Sequence, residues 1–352
     1  MTPRRLYNIY QRLLAPAACA MPDTPDASDA LHAICQAAEQ GDAHAQYRLA
    51  HIYDRGLGVD QNHQLAAQWY LKAAEQGHAQ AQHDLAYSYA NGEGIAQNHA
   101  KAFYWYTQAA QQGLADAQNN LGAAYFYGQG VDQNPSMAAH WYRQAARQNN
   151  ADAQYNLGLM YKNGQGIDPN PGTAIHWFLQ AAQQGFTRAQ HQLAVMYDTG
   201  TGVAQDHAAA AHWYLQAAQQ GYADAQYNLG CMYASGEGLT RNTEQACYWY
   251  TQAAQQGHAQ AQYNLGCLYA SGEDLTRDTE QACYWYTQAA QQGYADAQYN
   301  LGCLYASGEG ATRNIGQASY WFTQAARQNS ADAQQALLEL FENPISPDNT
   351  PP

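Results

Sequence analysis

Cysteine and histidine are the side chains here that could hold a metal, cross-link or act as nucleophiles, and several recur at one fixed interval. Cys231, Cys267 and Cys303 stand 36 residues apart, as do Cys247 and Cys283, and as do His140, His176 and His212. Zinc sites need ligand spacings such as C-x-x-C, and disulfide frameworks usually show an even count. The count is seven, and the spacing is that of a copied unit. The expectation is buried or half-buried free thiols, which suits a reducing compartment and hence the cytoplasm. Histidines one unit apart cannot share a metal through bonds of about 2 Å, so no metal site is assigned. Tyr248 and Tyr284 hold the same place in other units, as expected of a partly exposed helix position. No G-x-S-x-G, S-x-x-K, Ser/His/Asp or Cys/His arrangement stands out from the repetition. No catalytic residue and no cofactor is assigned, and the expectation is a protein that is not an enzyme.

The elements that must carry these side chains are announced by tryptophan. Trp69, Trp105, Trp141, Trp177, Trp213, Trp249, Trp285 and Trp321 each stand 36 residues from the next. Self-similarity at such a period is the mark of a repeat array. Eight units run from Gly41 to Gln328 without insertion or deletion. The chain is rich in Ala, Gln, Tyr and Gly and poor in β-branched residues, which favours helices over strands. A net charge of −14 with 15 Lys+Arg leaves no basic stripe for phosphates, so nucleic acid is excluded as a partner. No apolar run has the length of a membrane span.

In the unit Gly221–Gln256, a first helix opens with Asp224 in its first turn and places Leu229 and Tyr233 on one face. Gly230 leaves room for a close neighbour there. Gly236 and Gly238 follow at the helix exit, where positive φ is cheap for glycine. These G-x-G turns follow helices and not strands, so phosphate binding is not assigned. Asp274 replaces the second glycine once, at an expected cost of roughly 1 kcal/mol if that site is left-handed. Asn62, Asn98, Asn134, Asn170, Asp206, Asn242, Asp278 and Asn314 are N-cap residues of a second helix, with Pro135 and Pro171 directly after two of them. Ala246, Trp249, Tyr250 and Ala253 trace its apolar stripe. Gly257 ends it, and Asn149 or Asn329 stands in elsewhere as a left-handed cap. Trp and Tyr of this helix read as packing residues, and truncating a buried Trp should cost about 3–5 kcal/mol.

Helix pairs of this kind cannot bury their stripes alone and must stack. The organisation expected is a leader over 1–28, a repeat array over 29–343 and a disordered tail over 344–352. The array comprises a half repeat 29–40, eight full repeats 41–328 and a capping half repeat 329–343. Leu337 and Phe341 hold the Leu and Tyr places in the last helix, with Leu338 in place of the small residue. Arg4 and Arg5 ahead of Leu13 to Ala20 resemble a secretory signal, which would make the protein periplasmic or secreted. The short apolar stretch beside Gln11 and Arg12 favours instead a disordered leader.

The pattern A-x-A-Q-x-x-L-G-x-x-Y-x-x-G-x-G-(V/I/L)-x-x-(N/D)-x-x-x-A-x-x-W-Y-x-x-A-A-x-Q-G, repeated eight times, closely resembles the Sel-1-like repeat, a relative of the tetratricopeptide repeat. The resemblance implies an all-α fold, an α/α solenoid forming a right-handed superhelix, that serves as a scaffold or adaptor for protein complexes. In bacteria such proteins are often tied to signalling, envelope processes or host interaction. Cysteine-rich relatives linked to β-lactam binding and hydrolysis pair their cysteines near the A-A and A-Q positions, where this chain has Ala254 and Gln262. That enzymatic alternative therefore lacks its defining feature. A structural, self-assembling array is a further alternative.

By similarity to tetratricopeptide arrays, a concave groove is lined by the first helices. The residues so placed are Tyr155, Asn156 and Leu159, then Tyr227, Asn228 and Cys231, Tyr263, Asn264 and Cys267, and Tyr299, Asn300 and Cys303. Asn can pair with the backbone of an extended peptide and Tyr gives flat amphipathic contact. Recent duplication would produce the same near-identity. Tyr47, Arg48, His51, Asp54 and Arg55 make a polar patch in the first repeat. The partner expected is a protein or peptide, and the protein itself is expected to be a monomer.

Overall fold

A computed structural model describes residues 27–272 and 276–342 of the 352. The leader up to residue 26, Asp274 and the tail from 344 lie outside the described residues, as does the side chain of Phe341. Among the described residues there are eighteen α-helices and no strand. The first is α1 (Ala27–Glu39). The first helices of the repeats are α2 (Ala43–Arg55), α4 (Ala79–Asn91), α6 (Ala115–Tyr127), α8 (Ala151–Asn163), α10 (Thr187–Thr199), α12 (Ala223–Ser235), α14 (Ala259–Ser271) and α16 (Ala295–Ser307). Their second helices are α3 (His63–Glu75), α5 (His99–Gln111), α7 (Pro135–Arg147), α9 (Pro171–Gln183), α11 (His207–Gln219), α13 (Thr243–Gln255), α15 (Thr279–Gln291) and α17 (Ile315–Ala326). The last is α18 (Ala331–Glu342).

The chain divides into two compact units, one ending at Ala181 and the other starting at Ala182. Within the first, consecutive helices from α1 to α8 pack on one another; within the second, those from α10 to α18 do so. This is the all-α solenoid expected from the period. No described helix is long and apolar enough to cross a membrane.

Local chemistry sets the boundaries. Every expected N-cap accepts the amide three residues on, from Asn62 Oδ1 with Leu65 N at 2.9 Å to Asn314 Oδ1 with Gln317 N at 3.0 Å. The amide of the same residue donates to the carbonyl of the tyrosine nine residues before it, as Asn62 N does to Tyr53 O at 2.8 Å and Asp206 N to Tyr197 O at 2.9 Å. The loop is thereby tied back across the helix it leaves. Gly236 is left-handed at φ 83°, and Asn149 and Asn329 adopt φ 68° and 66°, as their places in the pattern require.

The core differs from expectation at the tryptophan. The residue that fills the space between paired helices is the next aromatic: Tyr70, Tyr142, Phe178, Tyr214, Tyr250 and their equivalents are all buried. A Cβ on Gly230 would lie 2.7 Å from the Tyr250 ring, and one on Gly158 would lie 2.6 Å from Phe178. The small residue thus makes room for this ring. The tryptophans are half-buried, apart from the buried Trp249, and pack as a second tier against the core clusters. The indole N–H groups of Trp141 and Trp249 are buried without an acceptor among the described residues, so packing holds these rings. In the last described helix, Leu338 is 55% exposed.

A buried glutamine links each helix pair to the one before. Gln262, 4% exposed, donates from Nε2 to the Ala254 carbonyl at 3.0 Å and accepts at Oε1 from Gln292 Nε2 at 2.7 Å. Gln46, Gln82, Gln118, Gln190, Gln226 and Gln298 make the same two bonds with their own neighbours. Replacing Gln262 with Leu keeps the volume but leaves the Gln292 amide without its acceptor. The expected loss is about 1–3 kcal/mol, read from urea melts. A melt unchanged from wild type would show that water replaces the ladder at no cost.

Candidate partner-binding face

The predicted binding residues lie on the first helices and are half-buried throughout. In the second unit they form rows that cross repeat boundaries. Tyr227 leans on Tyr250 at 6.0 Å between centroids and stacks on His258 at 4.6 Å. Tyr263 leans on Tyr286 at 5.9 Å and Tyr299 on Phe322 at 5.7 Å. The thiols accept hydrogen bonds from buried tyrosines: Tyr250 Oη lies 3.3 Å from Cys231 Sγ, and Tyr286 Oη 3.3 Å from Cys267 Sγ. Cys303 is hydrogen-bonded to Tyr299. Burial, with Cys231 adding to it, pushes the Tyr227 hydroxyl up to about 12, so it stays a neutral donor.

The asparagines reach across the seam between repeats. Asn228 Nδ2 lies 3.3 Å from His191 Nε2; Asn264 bonds the hydroxyls of Tyr227 and Tyr250, and Asn300 that of Tyr286. In the first unit Tyr155 leans on Phe178 at 5.8 Å, and Asn156 Nδ2 donates to Asn119 Oδ1 at 3.2 Å. Leu159 is half-buried on the same helix, α8. The polar tips therefore already serve the stack. An Asn side chain has two donor hydrogens and an acceptor oxygen, so one such bond leaves capacity for a second partner.

All six described cysteines are free, Cys283 buried and the others half-buried. His140, His176 and His212 are exposed on the second helices, each edge-on to the Trp that follows it at 5.1–5.3 Å. Between Ala254 and Gln262, the two positions set against the cysteine-rich relatives, runs the glutamine bond described above.

The sequence pattern did not bring out a pocket in the first unit that joins His51, Asp54 and Arg55 to His63, Tyr70, His83 and Asp84. The available signal was Asp84 itself, which stands where Asn120, Asn156, Asn228, Asn264 and Asn300 stand in other repeats.

The model of the Sel1 repeat matches eight consecutive segments: 43–78, 79–114, 115–150, 151–186, 187–222, 223–258, 259–294 and 295–330. The chain belongs to the Sel1 repeat family. Sel1 repeats generally mediate protein–protein interaction, and the family is generally non-catalytic. The fold is similar to the crystal structure of c5321, a protective antigen present in uropathogenic Escherichia coli strains that displays an SLR fold. The two are 37% identical with a TM-score of 0.85, over 89% of this chain and 67% of that one. A Sel1 repeat protein from Oxalobacter formigenes is 30% identical with a TM-score of 0.68, over 93% of this chain and 98% of its own. Comparison with curated proteins gave no match.

Proposed function

We propose that this Sel1 repeat protein is a non-catalytic scaffold that holds a protein or peptide along the first-helix faces of its repeats. The contact residues in the second unit are Tyr227, Asn228, Cys231, Tyr263, Asn264, Cys267, Tyr299, Asn300 and Cys303. In the first unit they are Tyr155, Asn156 and Leu159. The observation that carries this reading is the repetition of one half-buried Tyr, one Asn and one thiol on three successive first helices. Such rows offer amphipathic ring faces with little side-chain entropy to lose on binding.

The test is the triple variant Tyr227→Ala, Tyr263→Ala, Tyr299→Ala, used as bait in affinity capture from the source organism with mass spectrometry. Helical content should be retained and the wild-type partner lost. The matching triple Phe variant keeps the ring packing and should retain capture. Undiminished capture by the Ala variant would remove these tyrosines from the binding face.

A further inference from the structure

We propose that the first unit carries a pocket for the cationic side chain, lysine or arginine, of a partner chain, held between Asp54 and Asp84. That the occupant belongs to a protein rests on the scaffold reading; the pocket itself does not depend on the Tyr/Asn/Cys rows. It measures about 410 Å³, and residues of α2, α3 and α4 line it. Three carboxylates, those of Asp54, Asp84 and Glu93, face a single guanidinium, Arg55, in a chain whose net charge is −14.

Two of the pocket's histidines sit directly against these acids. His63 Nδ1 lies 2.9 Å from Asp54 Oδ1, and His83 Nδ1 lies 2.8 Å from Asp84 Oδ1. His83 Nε2 lies 3.1 Å from the side-chain nitrogen of Asn120. Burial, then Arg55, holds His51 below the usual imidazole range. Phosphate and carboxylate ligands are disfavoured by the acids. Among the described residues no three His, Cys, Asp or Glu side chains are placed to hold a metal ion.

A second observation, independent of the charges, is Tyr70. It is 2% exposed and lines the pocket, yet its hydroxyl has no hydrogen-bond partner among the described residues. The equivalent hydroxyls of Tyr106, Tyr214, Tyr250 and Tyr286 are bonded by Asn120, Asn228, Asn264 and Asn300 of the following repeat. In the pocket that asparagine is replaced by Asp84, whose Oδ1 is engaged by His83. An ammonium or guanidinium supplies N–H donors for the Tyr70 oxygen and for both carboxylates at once. Tyr87, 48% exposed in the pocket wall, offers a ring face to the same cation.

The experiment uses the full chain with carbon-13 at histidine Cε1 and three capped peptides, acetyl-Gly-X-Gly-amide with X as lysine, arginine or norleucine. The lysine and arginine peptides should shift the His63 and His83 signals saturably, and the norleucine peptide should not. Asp84→Asn installs the residue other repeats already carry, so it should fold, and it should weaken both cationic peptides by about tenfold. Asp54→Asn should weaken them likewise. Asp198→Asn removes the acid bonded to His207 in the second unit, outside the pocket, and should leave the titration unchanged. Equal shifts with norleucine, no shift with any peptide, or undiminished binding by the Asp84 and Asp54 variants would overturn the proposal. The triple Tyr→Ala variant should titrate like wild type, so failure of the Tyr/Asn/Cys rows and failure of the pocket are told apart.

Discussion

Phe178→Ala is expected to destabilise the protein by about 3–5 kcal/mol, towards the upper part of the range for a large side chain lost from a core. Phe178 is fully buried, and its ring fills the space opposite Gly158, where a Cβ would come within 2.6 Å. On the Gly158 side, the wall facing the vacated space is therefore backbone. Cavity costs grow when a site cannot collapse. Trp177→Ala removes a larger but half-buried ring, so it should cost about half as much on the basis of area removed from water. In a stacked array, weakening one interface also uncouples its flanks, so the urea transition should broaden as well as shift. A comparison of the two melts by circular dichroism decides the matter. If Trp177→Ala were the more damaging, the tryptophan tier and not the inner aromatic would be the keystone.

This ordering of neighbouring aromatics marks where the sequence stopped being legible. Caps and turns were readable because their requirements are local. Asn62 caps an amide three residues away, and Asn149 at φ 68° needs only its own backbone to explain it. Trp and Tyr at adjacent places satisfy the same helical period, and a turn of about 100° between them does not say which meets the partner helix. The glutamine of the A-x-A-Q pattern was visible in every repeat, but its role was not. Gln262 acts through a carbonyl 8 residues before it, on another helix, and an amide 30 residues after it, at the cap of a third. The first-unit pocket was hidden for the same reason. His51, Asp54 and Arg55 stood out as a polar patch, whereas Tyr70 and Asp84 read as ordinary members of their own repeats. The Tyr/Asn/Cys rows lie on the first helices, but their asparagines bond neighbouring repeats, which the letters alone do not disclose.

Gly130→Ala should cost about 2–5 kcal/mol, far more than the same change at two glycines close by. Gly113, Gly128 and Gly130 all have positive φ, at 91°, 71° and 74°. Each Ala variant therefore carries a similar left-handed strain of about 1–2 kcal/mol. Space separates them. A Cβ on Gly113 meets nothing within 4 Å, and one on Gly128 lies at an ordinary 3.4 Å from Gln133 Cβ. A Cβ on Gly130 would lie 2.1 Å from the His99 carbonyl oxygen and 2.7 Å from the Ala100 nitrogen, at the first turn of α5. That obstacle is backbone of the preceding repeat, so it cannot rotate aside, and the loop must lift off the helix it lies on. The added overpacking should cost about 1–3 kcal/mol. Gly94 and Gly310 face the same obstacle, at 2.1 Å from His63 O and 2.0 Å from Thr279 O. The second glycine of the turn thus acts between repeats, while the first acts within one. Urea melts of the three variants test this directly: if Gly130→Ala unfolds with the other two, loop-to-helix contact does not constrain the stack, and the glycine is there for its φ alone.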